Sequence, residues 1–461
     1  METFVAQLKA TQLVRWVFCD TNGNARSKLI PGGMSAHFVT RQPRRFCTAV
    51  IPMTCNSELP HLAWVVDNGY PDCEMVPDPD SFHLVSWSKC QQPGSIGQVL
   101  CSTNWPDGGG PVEFDPRNVV RRQIDRLDRE LGLKLASWTE MQWHLCKRGE
   151  TGWTSTEPAG HLDGSQLMQK YEVLVSELCS SLMDTGIAVE SVSPGSGAGQ
   201  FCVSLGSRDG AAAADDAFMG REIVKQVAAN HNLTATFMPI PHLLASASRL
   251  RINHQLVEAP DTRGDFKQPL KNLAPPQVLR HWLAGLVHHA PGIAALTWPT
   301  LNCYRSDKPG RRVTWSCSDL STLASPTQAL PVVDLRIAPM RSAEDGGDVV
   351  WRLENNLPSS AASAHIAVAA TVAAGIDGIL RRLELPTRPE EAPMLPADLA
   401  SGLAALEADA VMADALGAQL FDFCREARLQ FDLAMVAAKA HANESDSEAL
   451  KREAKFYLEF H

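Results

Sequence analysis

Residues 190–205, ESVSPGSGAGQFCVSL, constrain the fold more tightly than any other stretch of the chain. Pro194, Gly195, Gly197 and Gly199 supply a turn, because glycine reaches backbone angles and close approaches that a Cβ forbids. After them Phe201, Val203 and Leu205 alternate with Gln200, Cys202 and Ser204, the period of two that marks a half-buried strand. The stretch reads as strand, turn, strand, with Gln200, Cys202 and Ser204 on one face.

Residues 12–31, QLVRWVFCDTNGNARSKLIP, hold two apolar runs around Thr21-Asn22-Gly23-Asn24, a second hairpin signal. The DGGG at 107–110 is too flexible for the interior of an element, so the domain boundary is placed there, with domains over 1–106 and 111–461. Beyond it, Val119, Val120, Ile124, Leu127 and Leu131 recur at helical spacing until Gly132, and residues 133–145 then alternate as a strand. Residues 166–186 and 217–232 read as amphipathic helices, and the alanine-rich 359–383 as a long buried one. Residues 344–348, EDGGD, form a polar loop; 386–396, with four prolines, is another, and the tail 397–461 reads as helical in three pieces. Strands alternating with helices after a small β domain give an α+β or α/β class, between which periodicity does not decide.

Composition narrows the function. The chain has 461 residues, 44% hydrophobic and 20% charged, as in ordinary globular proteins. A net charge of -10 and a pI near 5.8 leave no basic stripe to neutralise phosphates, so a nucleic-acid partner is not expected. No run is long enough to span a bilayer, and the first residues lack a secretion-signal layout. Twelve cysteines sit singly, without C-x-x-C spacing, which reads as reduced, buried thiols in a cytoplasmic protein.

The hairpin at 190–205 resembles that of the glutamine synthetase superfamily, V-E-x-V-H-x-E-x-G-P-G-Q-x-E, in its γ-glutamyl-amine ligase and lengsin-like branches. Other segments join the resemblance. Phe18, Asp20, Gly23, Arg26, Lys28 and Pro31 fit the hairpin F-x-D-x-x-G-x-x-R-x-K-x-x-P that begins the family's small domain. Gly69-Tyr70-Pro71-Asp72, then Val76-Pro77-Asp78-Pro79-Asp80 and Trp87, resemble its G-x-P-D and PDPDT…PW segment, and Asp115-Pro116-Arg117 the DPR that opens its large domain. The resemblance implies an α+β chain: an N-terminal β-grasp domain, then a glutamine synthetase catalytic-type domain with a curved antiparallel sheet flanked by helices.

By the same resemblance the family's activity is ATP-dependent carbon–nitrogen ligation, with Mg²⁺ or Mn²⁺ held by carboxylates and a histidine. Those positions are altered here. The first metal strand, E-x-E in the family, is Glu140-Met141-Gln142, and the two hairpin glutamates fall on Gly195 and Cys202. The nucleotide signature K-P…G-x-G-x-H-x-N becomes Ile240-Pro241, then Ala247-Ser248-Arg249-Leu250-Arg251-Ile252-Asn253, so Arg251 replaces a ligand histidine. In N-S-Y-K-R, read as Asn302-Cys303-Tyr304-Arg305, the second basic residue is Ser306; the flap acid matches Arg312, and an N-R pair after Trp315-Ser316 matches Asp319-Leu320. R-x-E-x-R becomes Arg352-Leu353-Glu354-Asn355-Asn356.

Glu140 and Glu354 are therefore the residual metal-type acids, and Glu140, Arg251, Glu354 and Arg312 the catalytic candidates. Gly199, Gln200, Asn253 and Arg305 are the substrate-binding ones. Arg251 is expected between Glu140 and Glu354 as a salt-bridge triad where the metal would be. Taken singly, Glu140 is a strand carboxylate, Arg251 a surface cation and Glu354 a loop acid. His144, His242, His254 and the pair His288-His289 read as ordinary histidines, and Cys202 as a nucleophile only if a base stands beside it. The expected function is that of a pseudoenzyme or strongly impaired ligase acting through a homo-oligomeric ring, a decamer or dodecamer, for which lens lengsin is the family's non-catalytic precedent. The alternative is ATP-dependent ligation of glutamate to ammonia or another amine, or a metal-free activity in the same funnel on an amino acid or amine.

Overall fold

Seventeen residues, Leu133–Gly149, form the strand on which the larger sheet is assembled. The computed structural model describes residues 1–89, 95–149, 152–243, 245–258, 275–305, 310–318, 333–341, 349–436 and 444–460. On this central strand Met141, Trp143 and Leu145 are buried, whereas Glu140 and Gln142 on the other face are only half-buried. Leu250–Glu258 pairs with one edge of it and Gln200–Leu205 with the other. Val349–Asn355, Leu335–Arg341 and Trp315–Cys317 continue the first side, and Val189–Pro194 closes the second. These pairings are antiparallel, except that Trp315–Cys317 runs parallel to Leu335–Arg341.

A smaller sheet precedes it. Leu13–Cys19 lies between Ala25–Pro31, antiparallel, and Ile96–Asn104, parallel, with Asp72–Pro77 and Arg44–Cys47 beyond. The strands of this sheet fall within residues 13–104 and those of the larger sheet within 133–355. The fold is α+β, a β-grasp-type sheet followed by a curved sheet backed by helices.

Helices cover the apolar face of the larger sheet. Ala364–Leu380 is buried along almost its whole length, and its small residues let a neighbour approach closely. At Gly378 a Cβ would lie 2.2 Å from the carbonyl oxygen of His281 in the helix Gln277–His288. Two sequence signals meet between the sheets. Asp115 caps the helix Pro116–Leu131, and the buried Arg117 guanidinium bonds Asp78 at 2.6 Å and Asp215 at 2.7 Å. Burial works to raise the Asp215 carboxyl, but His365 and Arg117 hold it well below the usual range. The hairpin at 20–24 is closed by Asp20, whose Oδ1 accepts from the amides of Asn22 and Asn24, while Arg26 bonds Oδ2.

Two expected elements differ. The single helix expected over 166–186 is Ser165–Lys170 and Glu172–Asp184, broken at Tyr171, whose hydroxyl donates to Glu157 at 2.7 Å and whose ring meets Phe201 edge-on. The tail has more pieces than three: Leu399–Ala408, Ala410–Leu416, Ala418–Ala427, Arg428–Val436 and Asp446–Tyr457. Asp409 and Gly417, the latter at φ 90°, interrupt it. The polar loop at 344–348 lies outside the described residues.

Candidate functional site

Strand register collects polar side chains on the open face of the larger sheet. Arg251 and Ser204 stand opposite Glu140, Cys202 opposite Gln142, and Glu354 opposite both Asn253 and Arg336. Residues directly opposite on a pair of strands share a face and lie close enough for charged groups to meet. The intervening Met141, Leu250, Ile252, Val203 and Leu353 are buried on the other side, which fixes the register.

Arg251 Nη1 donates to Glu140 Oε2 at 3.1 Å, and Asn253 Nδ2 donates to Glu140 Oε1 at 3.2 Å. Both carboxylate oxygens of Glu140 are thereby engaged. The expected triad is half formed. Glu354 pairs with Arg336 at 3.6 Å and more closely with Arg352, not with Arg251. Register explains the correction: Asn253, not Arg251, stands opposite Glu354, so a neutral amide separates the two acids, and Glu140 pairs with Arg251 while Glu354 pairs with Arg336 and Arg352. Arg336 escaped the sequence reading, although its place between the buried Leu335 and Ile337 is the period-two signal of an outward side chain.

The hairpin positions are taken up structurally. A Cβ on Gly195 would lie 2.5 Å from Gln200 Oε1, so the Gln200 side chain fills that space. Gln200 is buried; its Oε1 accepts from the Gly197 amide at 3.0 Å, and its Nε2 donates to Ser248 Oγ at 3.0 Å. It ties the hairpin to the 246–248 loop instead of facing a substrate. Gly199 is the one turn glycine here at positive φ, 63°, and a Cβ there would meet the Leu145 carbonyl at 2.7 Å, so its role is the turn itself. Gln142 Oε1 accepts from the Arg249 amide.

Arg305 and Arg312 are not brought to this group. Arg305 Nε donates to the buried Glu453 at 2.9 Å, on the helix Asp446–Tyr457, and Arg312 Nη1 donates to the Ala392 carbonyl at 2.5 Å. Each guanidinium is drawn toward a C-terminal segment that sequence spacing does not reveal. Ser306, Asp319 and Leu320 lie outside the described residues. Asn302 brackets Ile240, bonding both its amide and its carbonyl at 2.9 Å.

The histidines and the thiol are set by burial. His144 sits between the carbonyls of Ala198 and Ser246, and burial lowers it to about 4. His254 lies on the core face, accepts from Trp282 Nε1 at 2.9 Å, and is lowered by burial to about 3. His242 is lowered by burial as well. His289 differs from the ordinary reading: buried, it bridges Asp409 at 2.8 Å and Asp377 at 2.9 Å. Burial, with Glu140 beside it, pushes the Cys202 thiol up to about 12, so at neutral pH it is neither thiolate nor nucleophile.

Mg²⁺ or Mn²⁺ needs several anionic or neutral oxygen or nitrogen donors converging on one point. Here Glu140 is occupied by Arg251 and Asn253, Glu354 by two arginines, and the space at Gly195 by Gln200. Among the described residues no three His, Cys, Asp or Glu side chains converge as a metal would require. The donor set does not fit a divalent metal.

A family model described as "Glutamine synthetase, catalytic domain" matches residues 113–447. A glutamine synthetase of Thermus thermophilus is 29% identical over 362 residues, covering 74% of this chain and 76% of the relative. A glutamate–methylamine ligase of Methyloversatilis universalis is 27% identical, covering 88% and 90%. A solved structure described as a novel glutamine synthase homolog superposes with a TM-score of 0.80 over 97% of this chain and 99% of that one, at 23% identity, which establishes likeness of fold.

Proposed function

This chain belongs to the glutamine synthetase family, and from that premise we propose that it is a pseudoenzyme or strongly impaired ligase, acting through homo-oligomeric assembly instead of metal-dependent γ-glutamyl ligation. The observation that carries the reading is the engagement of Glu140 by Arg251 and Asn253. A ligase of this family needs cations that neutralise nucleotide phosphates and orient the acceptor acid. A guanidinium bonded to Glu140, one of the two remaining carboxylates, cannot be such a ligand, and its positive charge repels a metal placed beside it. Losing several charged groups that act together costs far more than the roughly 3–4 kcal/mol of one electrostatic contact in a transition state. Two domains, over 1–106 and 111–461, and a cytoplasmic setting complete the proposal; among the described residues no helix is long and apolar enough to cross a membrane.

The likeness to ligases of ammonia and of methylamine favours a second reading, ATP-dependent ligation in the same funnel. Calorimetric titration of the purified protein with a non-hydrolysable ATP analogue, with and without Mn²⁺, separates the two. The pseudoenzyme reading expects no Mn²⁺-dependent binding. Tight binding that requires Mn²⁺ overturns it in favour of the ligase.

A further inference from the structure

The helix Asp446–Tyr457 is fastened to the rest of the chain through buried acids. Its Glu453 accepts from Asn302 Nδ2 and from Arg305 Nε, each at 2.9 Å, and Asn302 in turn brackets Ile240. One turn further on, the Tyr457 hydroxyl donates to Asp432 Oδ1 on the segment Arg428–Val436. That segment has its own anchors. Arg428 donates to the carbonyls of Ala295 and Leu296, and Gln430 takes both the amide and the carbonyl of His61, at 2.6 and 2.8 Å. The contact of Asp432 with Tyr457 therefore joins two pieces of the tail, one gripping the 301–305 turn and the other reaching the N-terminal part of the chain.

The two acids differ in what balances them. Glu453 has the Arg305 guanidinium, whereas Asp432 is 5% exposed and its partner is a neutral hydroxyl. Tyr457 lies in an apolar cluster with Cys55, Met238, Phe431, Ala454 and Leu458. The charged or titratable groups facing Asp432 are Arg428 on its own segment, Tyr457 and Glu453 on the last helix, Cys55, and Tyr304 of the 301–305 turn. Burial pushes the Asp432 carboxyl up to about 7; Tyr457 and Arg428 act the other way without cancelling it, and Glu453 adds to the rise. Cys55, Tyr304 and Tyr457 are themselves raised by burial, so none of them ionises near neutrality. As a neutral acid, Asp432 is satisfied by a hydroxyl. As an anion it meets apolar side chains and a second acid.

We propose that the contact of Asp446–Tyr457 with Arg428–Val436 is a proton-operated latch. It holds while Asp432 is protonated; loss of that proton to solvent loosens it, freeing the last helix and the grip of Glu453 on Arg305. The sign follows from linkage. An undocked aspartate titrates at about 3.9, so docking is tightest below that pH, weakens as pH rises toward the docked value, and is constant above it.

The test is amide hydrogen exchange of the full chain between about pH 5 and pH 8, corrected for the intrinsic pH dependence of exchange. Protection of Asp446–Tyr457 is expected to fall by up to about ten-fold per pH unit and to level off near neutrality, more steeply than that of the buried helix Ala364–Leu380. Asp432→Asn keeps the shape and the hydrogen bond but cannot ionise, so this excess should vanish. Tyr457→Phe removes a donor that favours the carboxylate, so the levelling point should move to higher pH; it carries the test should Asp432→Asn not fold. A parent profile no steeper than that of Ala364–Leu380, the same excess in Asp432→Asn, or an unmoved levelling point in Tyr457→Phe overturns the latch.

Discussion

At Gly195, which the family resemblance sets against an acid, a neighbour leaves no room for a side chain. The Gln200 side chain occupies the space a new side chain would enter, and it is itself bonded to Gly197 and Ser248. Gly195→Glu is therefore expected to destabilise the protein by about 1–3 kcal/mol, through overpacking and rupture of those bonds, as measured by denaturant unfolding. Adding Arg251→His should still not yield Mn²⁺ binding by calorimetry, and a double variant that bound the metal tightly would refute the packing argument. What the sequence offers at this scale is a set of positions, Gln142, Gly195, Cys202 and Arg251, that the family resemblance sets against metal ligands. It does not show their partners. Whether Arg251 meets one acid or two depends on which residue of a strand more than ninety positions away lies opposite, and Gln200 read as a substrate contact until its side chain was seen turned into the hairpin.

Elements are pinned to one another by buried charges that periodicity does not reveal. Arg117 joins the smaller sheet's Asp78 to Asp215 on the helix Gly210–Asn230. His289, between Gln277–His288 and Ala290–Thr297, ties that corner to Asp377 of Ala364–Leu380 and to Asp409. Burial opposes the His289 charge, but hydrogen bonds to Asp409 and Asp377 outweigh it and raise its pKa above the ordinary value. A raised folded-state pKa means the imidazolium contributes fully below the unfolded value, about 6.5, and the contribution is lost as pH rises through the folded value. Thermal unfolding followed from pH 6 upward should thus show a fall in melting temperature that His289→Gln largely abolishes, with the variant less stable than the parent near pH 6. Equal slopes in the two proteins would exclude His289 as the titrating group. In sequence the His288-His289 pair looked ordinary because its acids lie in distant segments.

For the whole molecule, the smaller sheet ends at Ala25–Pro31, whose outer edge pairs with no strand among the described residues, and Leu29 on it and Met34 just after it are 53% and 45% exposed. A bare edge with apolar side chains invites another chain unless it is covered. If the proposed assembly uses this edge, light scattering should give a native mass that is a multiple of the 50.2 kDa chain, reduced toward one chain by Leu29→Lys with Met34→Lys. A monomer at micromolar concentration would overturn the assembly proposal. The strands, the main helices and the family resemblance were legible because hydrophobic periodicity and turn glycines are local signals, as at residues 133–145 and 190–205. Only the tertiary structure decided that Glu354 belongs to Arg336 and Arg352 and that Arg305 is held by Glu453, because pairing across a sheet is set by register and burial between segments far apart in the chain.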